Sequence, residues 1–342
     1  MLNPARFFHL LRYFSIPREN FWISLYFLKT NRNDPLKVRG LRQRKCDILI
    51  SKDCTNGKEV WSVELSDFKK QKDFLICVDS DGCAMDTMDI KHIRCFGPCM
   101  VAEWKLEAWE SAILTRWNEI NLYTMTRGIN RFKGLAAALK EISEIYTPID
   151  DLETLCNWVN SSPELSNAAL EKAIEAENSL SLKKALSWSK AVNKAITALP
   201  DEEKRPFPLA KEALALAHEK ADVAIVSSAN RDAVLEEWQH YGLLPHTDIL
   251  LAQDVGSKAF CIGELLKKGY DPKKVLMCGD APGDLDAAKK NGVAYFPILV
   301  KKEKESWQEF AKIAFGKLLN DSYHGDYQTQ KIHEFLCNLG AE

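Results

Sequence analysis

Two carboxylates separated by one residue, Asp79 and Asp81, stand where the apolar run Phe74-Leu75-Ile76-Cys77-Val78 stops, just before Gly82. Such a pair can divide a reaction between its members. One attacks a phosphorus atom in line, and the other protonates the leaving oxygen and later activates water. Other polar groups occupy matching places downstream: Ser227 and Ser228 follow the run ending at Val226, and Asp280 and Asp284 follow the run ending at Cys278. Clustered carboxylates repel one another and a phosphate, so a hard divalent cation is expected among them, with Asp280 and Asp284 completing its oxygen ligands. Ser227 can donate a hydrogen bond to a phosphoryl oxygen, and the N–H groups after it can open an anion-binding helix N-terminus. Lys258, after Gly256-Ser257, is placed to neutralise charge developing on the phosphoryl group. Taken singly, each has a plainer use as a turn former, a helix cap or a solvated lysine. Their shared position at strand ends and helix starts makes them one set.

The elements that must position this set are legible from periodicity. Phe74 to Val78 is apolar without alternation, as in a strand covered on both faces. From about residue 206, helical and strand patterns alternate, with strands at Val223 to Val226, Ile249 to Leu251, Val275 to Cys278 and Ala294 to Ile298. That repetition predicts an α/β fold, a doubly wound, Rossmann-like parallel sheet, whose ligands bind beyond the carboxyl ends of the strands. Residues 90–205 read almost wholly as helix, with Leu106, Trp109, Ile113, Trp117 and Ile120 as one apolar stripe. Because the first strand precedes this block, the block is an insertion into one core formed by residues 73–89 and 206–300. Residues 301–342 read as terminal helices, with Trp307, Phe310, Ile313, Ala314 and Leu318 on one face. Residues 1–72 form an N-terminal extension, aromatic and basic, ending in an expected β-hairpin whose arms, Ile48 to Ile50 and Val60 to Leu65, flank Asn56-Gly57.

The motifs have a family likeness. FLICVDSDGCAMDT resembles the first motif of haloacid dehalogenase superfamily phosphatases, VAIVSSAN the second, SKAF the third and VLMCGDAPGDLDAA the fourth. The helical insertion resembles the type 1 cap of phosphoglycolate phosphatases and β-phosphoglucomutases. The resemblance spans roughly residues 73–300. It implies Asp79 as nucleophile and Asp81 as general acid/base, with Mg²⁺ held by the Asp79 side chain, the Asp81 backbone carbonyl and Asp280, supported by Asp284. Ser227, Ser228 and Lys258 would bind the phosphoryl group. Thr126 to Gly134, with Arg127 and Arg131, resembles the specificity loop of such caps. The sequence departs from the pattern at Cys83, where threonine is common, and in its longer insertion. Residues 1–72 have no counterpart.

Composition sets the outer limits. The chain has 342 residues, 46% hydrophobic and 27% charged, with a formal net charge of -2, which gives no global reason to expect a nucleic-acid partner. Through residue 45, however, ten basic residues face two acidic ones, so this segment attracts anions and could dock on a membrane surface or partner. The ten cysteines lack paired CxxC spacing and read as small buried side chains in a reducing, cytoplasmic setting. Cys95 and Cys99 could be half of a zinc site, but no second pair accompanies them. No segment approaches the length needed to span a bilayer, and no signal-peptide pattern is visible. The expected activity is hydrolysis of a small phosphorylated metabolite through an aspartyl-phosphate. A phosphomutase or phosphonatase on the same core, or a scaffold using the basic N-terminus, are the alternatives. Retention of Asp81 favours phosphoryl transfer over dehalogenation, since an alkoxide leaving group needs an acid and a halide does not.

Overall fold

The computed structural model describes residues 63–341. The basic N-terminal segment, its expected docking role and most of the expected hairpin lie outside these residues. Of the hairpin's second arm, Val63 and Glu64 are coil and Leu65 begins a turn.

Five parallel strands form one sheet: β1 (Phe74–Val78), β2 (Ala221–Val226), β3 (Ile249–Leu251), β4 (Val275–Gly279) and β5 (Ala294–Pro297), in the order β3-β2-β1-β4-β5. Along β1 the side chains alternate between two buried faces. Ile76 and Val78 join a core with Trp238, Trp307 and Phe310, whereas Leu75 and Cys77 join one with Ile262, Tyr295 and Phe335. Covering on both faces explains the unbroken apolar run, and each large side chain fully removed from water contributes about 2 kcal/mol. Register then fixes the site. Val78 lies opposite Ile225 of β2 and Cys278 of β4, so the residues just after these strands share one edge. Beyond that edge, the Asp79 N–H donates to Cys278 O and the Ser227 N–H to Leu251 O.

The helical insertion leaves β1 after residue 87 and returns before β2. It comprises α1 (Met88–Lys91), a π-helical turn (His92–Phe96), α2 (Gly97–Trp104), α3 (Glu110–Leu122), α4 (Arg131–Ile145), α5 (Leu152–Ser161), α6 (Asn167–Glu177) and α7 (Leu180–Thr197). It has its own core, in which Trp188 meets Phe96, Trp117 and Phe132 edge to face. Trp109 departs from the predicted stripe. It sits in a short 3₁₀ turn before α3 and is 36% exposed, because the helix starts only at Glu110. The outgoing and returning chains are clasped together, the Asp86 N–H donating to Arg205 O and the Phe207 N–H to Ala84 O.

The remaining helices are α8 (Ala210–His218), α9 (Arg231–His240), α10 (Lys258–Leu266), α11 (Pro282–Asn291), α12 (Glu303–Glu309), α13 (Phe315–Leu319) and α14 (Asp326–Asn338). Between α12 and α13 a π-helical turn (Phe310–Ala314) shifts the helical phase. Ile313 therefore leaves the face of Trp307, Phe310, Ala314 and Leu318, and is 46% exposed. Among the described residues no helix is long and apolar enough to cross a membrane.

Candidate active site

Three carboxylates converge at the β1/β4 edge. Asp79, Asp280 and Asp284 are buried, with one oxygen from each within 4.8 Å of the others, and they are the one such group of potential metal ligands among the described residues. Asp79 and Asp280 follow their strands directly, and Asp284 lies on the first turn of α11, where it accepts the Ala281 N–H. Ser257 caps α10 by accepting the Phe260 N–H, which sets Lys258 at the first helical position. From there Lys258 Nζ reaches Asp79 Oδ2 at 2.5 Å and Asp284 Oδ1 at 2.6 Å. Arg127 arrives from the loop between α3 and α4, its Nε 2.7 Å from Asp280 Oδ2.

Three carboxylates thus share two side-chain cations. Burial pushes the Asp79 carboxyl up to about 8, helped by Asp284 and Asp280 against Lys258, and it pushes Asp280 up to about 6, with Arg127 opposing. The donor set is all oxygen, and Asp280 Oδ1 is buried with no hydrogen-bond partner. An unpartnered buried carboxylate oxygen is costly, and a hard cation such as Mg²⁺ suits this donor set. Cys95 is buried and Cys99 partly buried within the helical insertion.

Asp81 occupies a different environment. Its Oδ1 accepts from Thr87 Oγ1 at 2.6 Å and from Lys91 Nζ at 2.8 Å. Burial alone would raise its carboxyl, but Lys91 and Thr87 outweigh burial and hold it below the usual range. Lys91 also faces Glu237 at 3.4 Å. Neither Lys91 nor Glu237 was marked by the sequence, since an insertion lysine and a helix glutamate look like solvated surface residues.

Between the sheet edge and the insertion lies a cavity of about 570 Å³. Asp79, Asp81, Ser227, Ser228, Lys258 and Asp280 line one side, and Ser227 is buried while Ser228 is exposed. Arg131 lines the other side with His92, Asn167, Asn193 and Thr197. Its guanidinium is held by Asn193 Oδ1 at 2.7 Å and lies over the Phe96 ring at 5.1 Å. Arg127 does not line the cavity. It is 1% exposed and points at Asp280, so of the two arginines expected to set specificity the structure brings Arg131 and not Arg127 to the cavity. Cys83, in place of threonine, directs its thiol toward Cys278 O at 3.5 Å.

In an open parallel α/β sheet ligands bind beyond the carboxyl ends of the strands, which is where these acidic residues face the cavity. Residues 129–298 match the model of the haloacid dehalogenase-like hydrolases. The match begins downstream of Asp79 and Asp81, which the register of β1 brings to the matched region. No curated protein sequence matches the chain. Among solved structures, a haloacid dehalogenase-like family hydrolase from Streptococcus pneumoniae is similar at 16% identity, covering 77% of this chain and 98% of its own, with a TM-score of 0.38. A predicted phosphoglycolate phosphatase from Haemophilus somnus is similar at 17% identity, covering 65% and 83%, with a TM-score of 0.39. L-2-haloacid dehalogenase from Xanthobacter autotrophicus is similar at 15% identity, covering 65% and 75%, with a TM-score of 0.32.

Proposed function

We propose that the protein is a Mg²⁺-dependent phosphatase that hydrolyses a small phosphomonoester through an aspartyl-phosphate on Asp79, with the helical insertion acting as its cap. The observation that carries this reading is the pairing of a buried, cation-poor carboxylate triad with a separately held carboxylate, Asp81, at the same cavity. Mg²⁺, held by Asp79, the Asp81 carbonyl and Asp280 with Asp284 in support, would neutralise charge on the phosphoryl oxygens. Lys258 and Ser227 bind and orient those oxygens. A carboxylate oxygen of Asp79 attacks phosphorus, and the bond from phosphorus to the leaving oxygen breaks. The proton for that oxygen comes from Asp81, which takes it up from solvent when substrate binds, because Lys91 and Thr87 keep the carboxyl ionised in the free site. Water then attacks phosphorus, Asp81 takes the water's proton, and the bond between phosphorus and Asp79 breaks to release phosphate.

The site also weighs on the alternatives. A phosphonatase needs a cap lysine free to form a Schiff base. The lysine that the insertion presents to this cavity is Lys91, ion-paired to Asp81 and Glu237 and so held in its charged form. On the leaving-group side, Arg131 amid uncharged amide and hydroxyl groups suits a small hydroxylated metabolite with a second anionic group. The purified chain should hydrolyse a generic phosphomonoester with Mg²⁺ and lose that activity in EDTA. Turnover unaffected by chelation would contradict the metal-dependent reading.

A further inference from the structure

Arg127 belongs to the insertion by sequence, yet its side chain ends at the sheet. Beside its bond to Asp280 Oδ2, it donates from Nη1 to Leu122 O at 2.8 Å and faces Asp89 at 3.7 Å. The fork is therefore fixed at both ends, by the end of α3 and by the carboxylate. Asp280 is left with one oxygen engaged and the other, Oδ1, without a partner.

Two glycines make this approach possible. Gly82, at φ +80°, has no room for a side chain, since a Cβ there would stand 2.6 Å from Arg127 Nη2 and 2.5 Å from Asp280 Oδ2. Gly128, at φ +69°, seats the loop directly on the turn after β4, where a Cβ would come within 2.7 Å of the Ala281 Cβ. The loop, the glycine of the Asp-x-Asp-Gly turn and Asp280 are thus fitted to one another around a guanidinium.

We propose that Arg127 is a positioning residue for the metal site, holding Asp280 by Oδ2 so that Oδ1 stays directed at the cation and the insertion's loop stays seated on the sheet edge. This rests on the Mg²⁺ reading of the carboxylate triad. Two effects of Arg127 on cation binding oppose each other. Its charge repels a second cation, and its fork orients the ligand. Orientation wins because Asp280, 1% exposed, cannot remain in place as a buried carboxylate with neither oxygen paired. Losing a partner from such a pair drives rearrangement of the survivor. Partners that orient a ligating group in this way typically change metal affinity 10- to 100-fold when removed.

The test is Mg²⁺ titration of the full chain by calorimetry, with folding checked by circular dichroism. Arg127→Ala should raise the Mg²⁺ Kd by about tenfold or more. Arg127→Lys keeps the charge but loses one arm of the fork, and should fall between the alanine variant and wild type. An Arg127→Ala protein that binds Mg²⁺ as tightly as wild type, or more tightly, overturns the proposal while leaving the metal reading intact. Should the alanine variant not fold, Arg127→Lys decides alone, and an unchanged Kd overturns the proposal. Wild-type protein that takes up no Mg²⁺ would instead remove the metal reading, and this inference with it.

Discussion

The two walls of the cavity are built from different chemistry. The sheet edge concentrates charge, with Asp79, Asp280 and Lys258 facing the cavity and Asp284 and Arg127 behind them, linked by short ion pairs and, Lys258 apart, buried. Apart from Lys91, which is paired with Asp81, the insertion wall is mostly neutral, with Asn167, Asn193, Thr197 and His92 around Arg131. Burial pushes the His92 ring down to about 3, with Arg127 adding to the effect, so it too is uncharged near neutral pH. Charge is kept where a phosphoryl group would be transferred, and hydrogen-bonding groups where a leaving group would be chosen. Of Arg127 and Arg131, four residues apart in sequence, the first sits behind the sheet edge against Asp280 and the second lines the insertion wall.

This division can be broken from the charged side first. Asp79→Asn should abolish hydrolysis of a generic phosphomonoester while the circular dichroism spectrum is retained, because the substitution removes the attacking oxygen and no packing. Asp81→Asn should slow turnover of an alkyl phosphate by about 10²- to 10⁴-fold, the usual worth of a positioned acid/base. Next in size, Lys258→Ala leaves Asp79 and Asp284 without their shared cation and should cost about 3 kcal/mol of stability by denaturant titration. Mg²⁺ should restore part of that loss, since it supplies charge at the same carboxylates.

On the neutral wall the effects are smaller and selective. Arg131→Ala should raise KM for the best natural substrate about tenfold, roughly 1.4 kcal/mol, and leave a small generic ester unchanged. Equal effects on both would show that Arg131 acts on the fold and not on choice of leaving group. The smallest effect concerns pH. The depressed His92 value means that the unfolded chain binds the extra proton first, so His92 adds stability above about pH 6.5 that is lost as pH falls toward 3. His92→Phe should flatten the slope of unfolding free energy against pH in that window.

Most of the charged wall could be read from the sequence because each member directly follows a strand or starts a helix. Strand ends are marked by where apolar runs stop, and parallel register brings them to one edge. Lys258 was legible for the same reason, standing after a serine cap. Arg127 was not, since nothing in Thr126-Arg127-Gly128 distinguishes a loop arginine aimed at the sheet from one aimed at the cavity. That choice depends on how the insertion packs. Lys91 and Glu237 escaped notice because only the fold brings α1 beside α9. Ile313 and Trp109 were misplaced because a π turn and a late helix start shift phase without a sequence mark.

The central claim is that the charged wall takes up the phosphoryl group covalently on Asp79. Asp81→Asn tests it most directly when the protein is incubated with Mg²⁺ and p-nitrophenyl phosphate, whose leaving group needs no proton. Attack should then proceed while hydrolysis of the intermediate stalls. Acid quenching followed by peptide mass spectrometry should find a phosphoryl group on the peptide carrying Asp79, and none when Asp79→Asn is added. Release of p-nitrophenol with no phosphoryl group on that peptide, or with one on a different residue, would contradict the account.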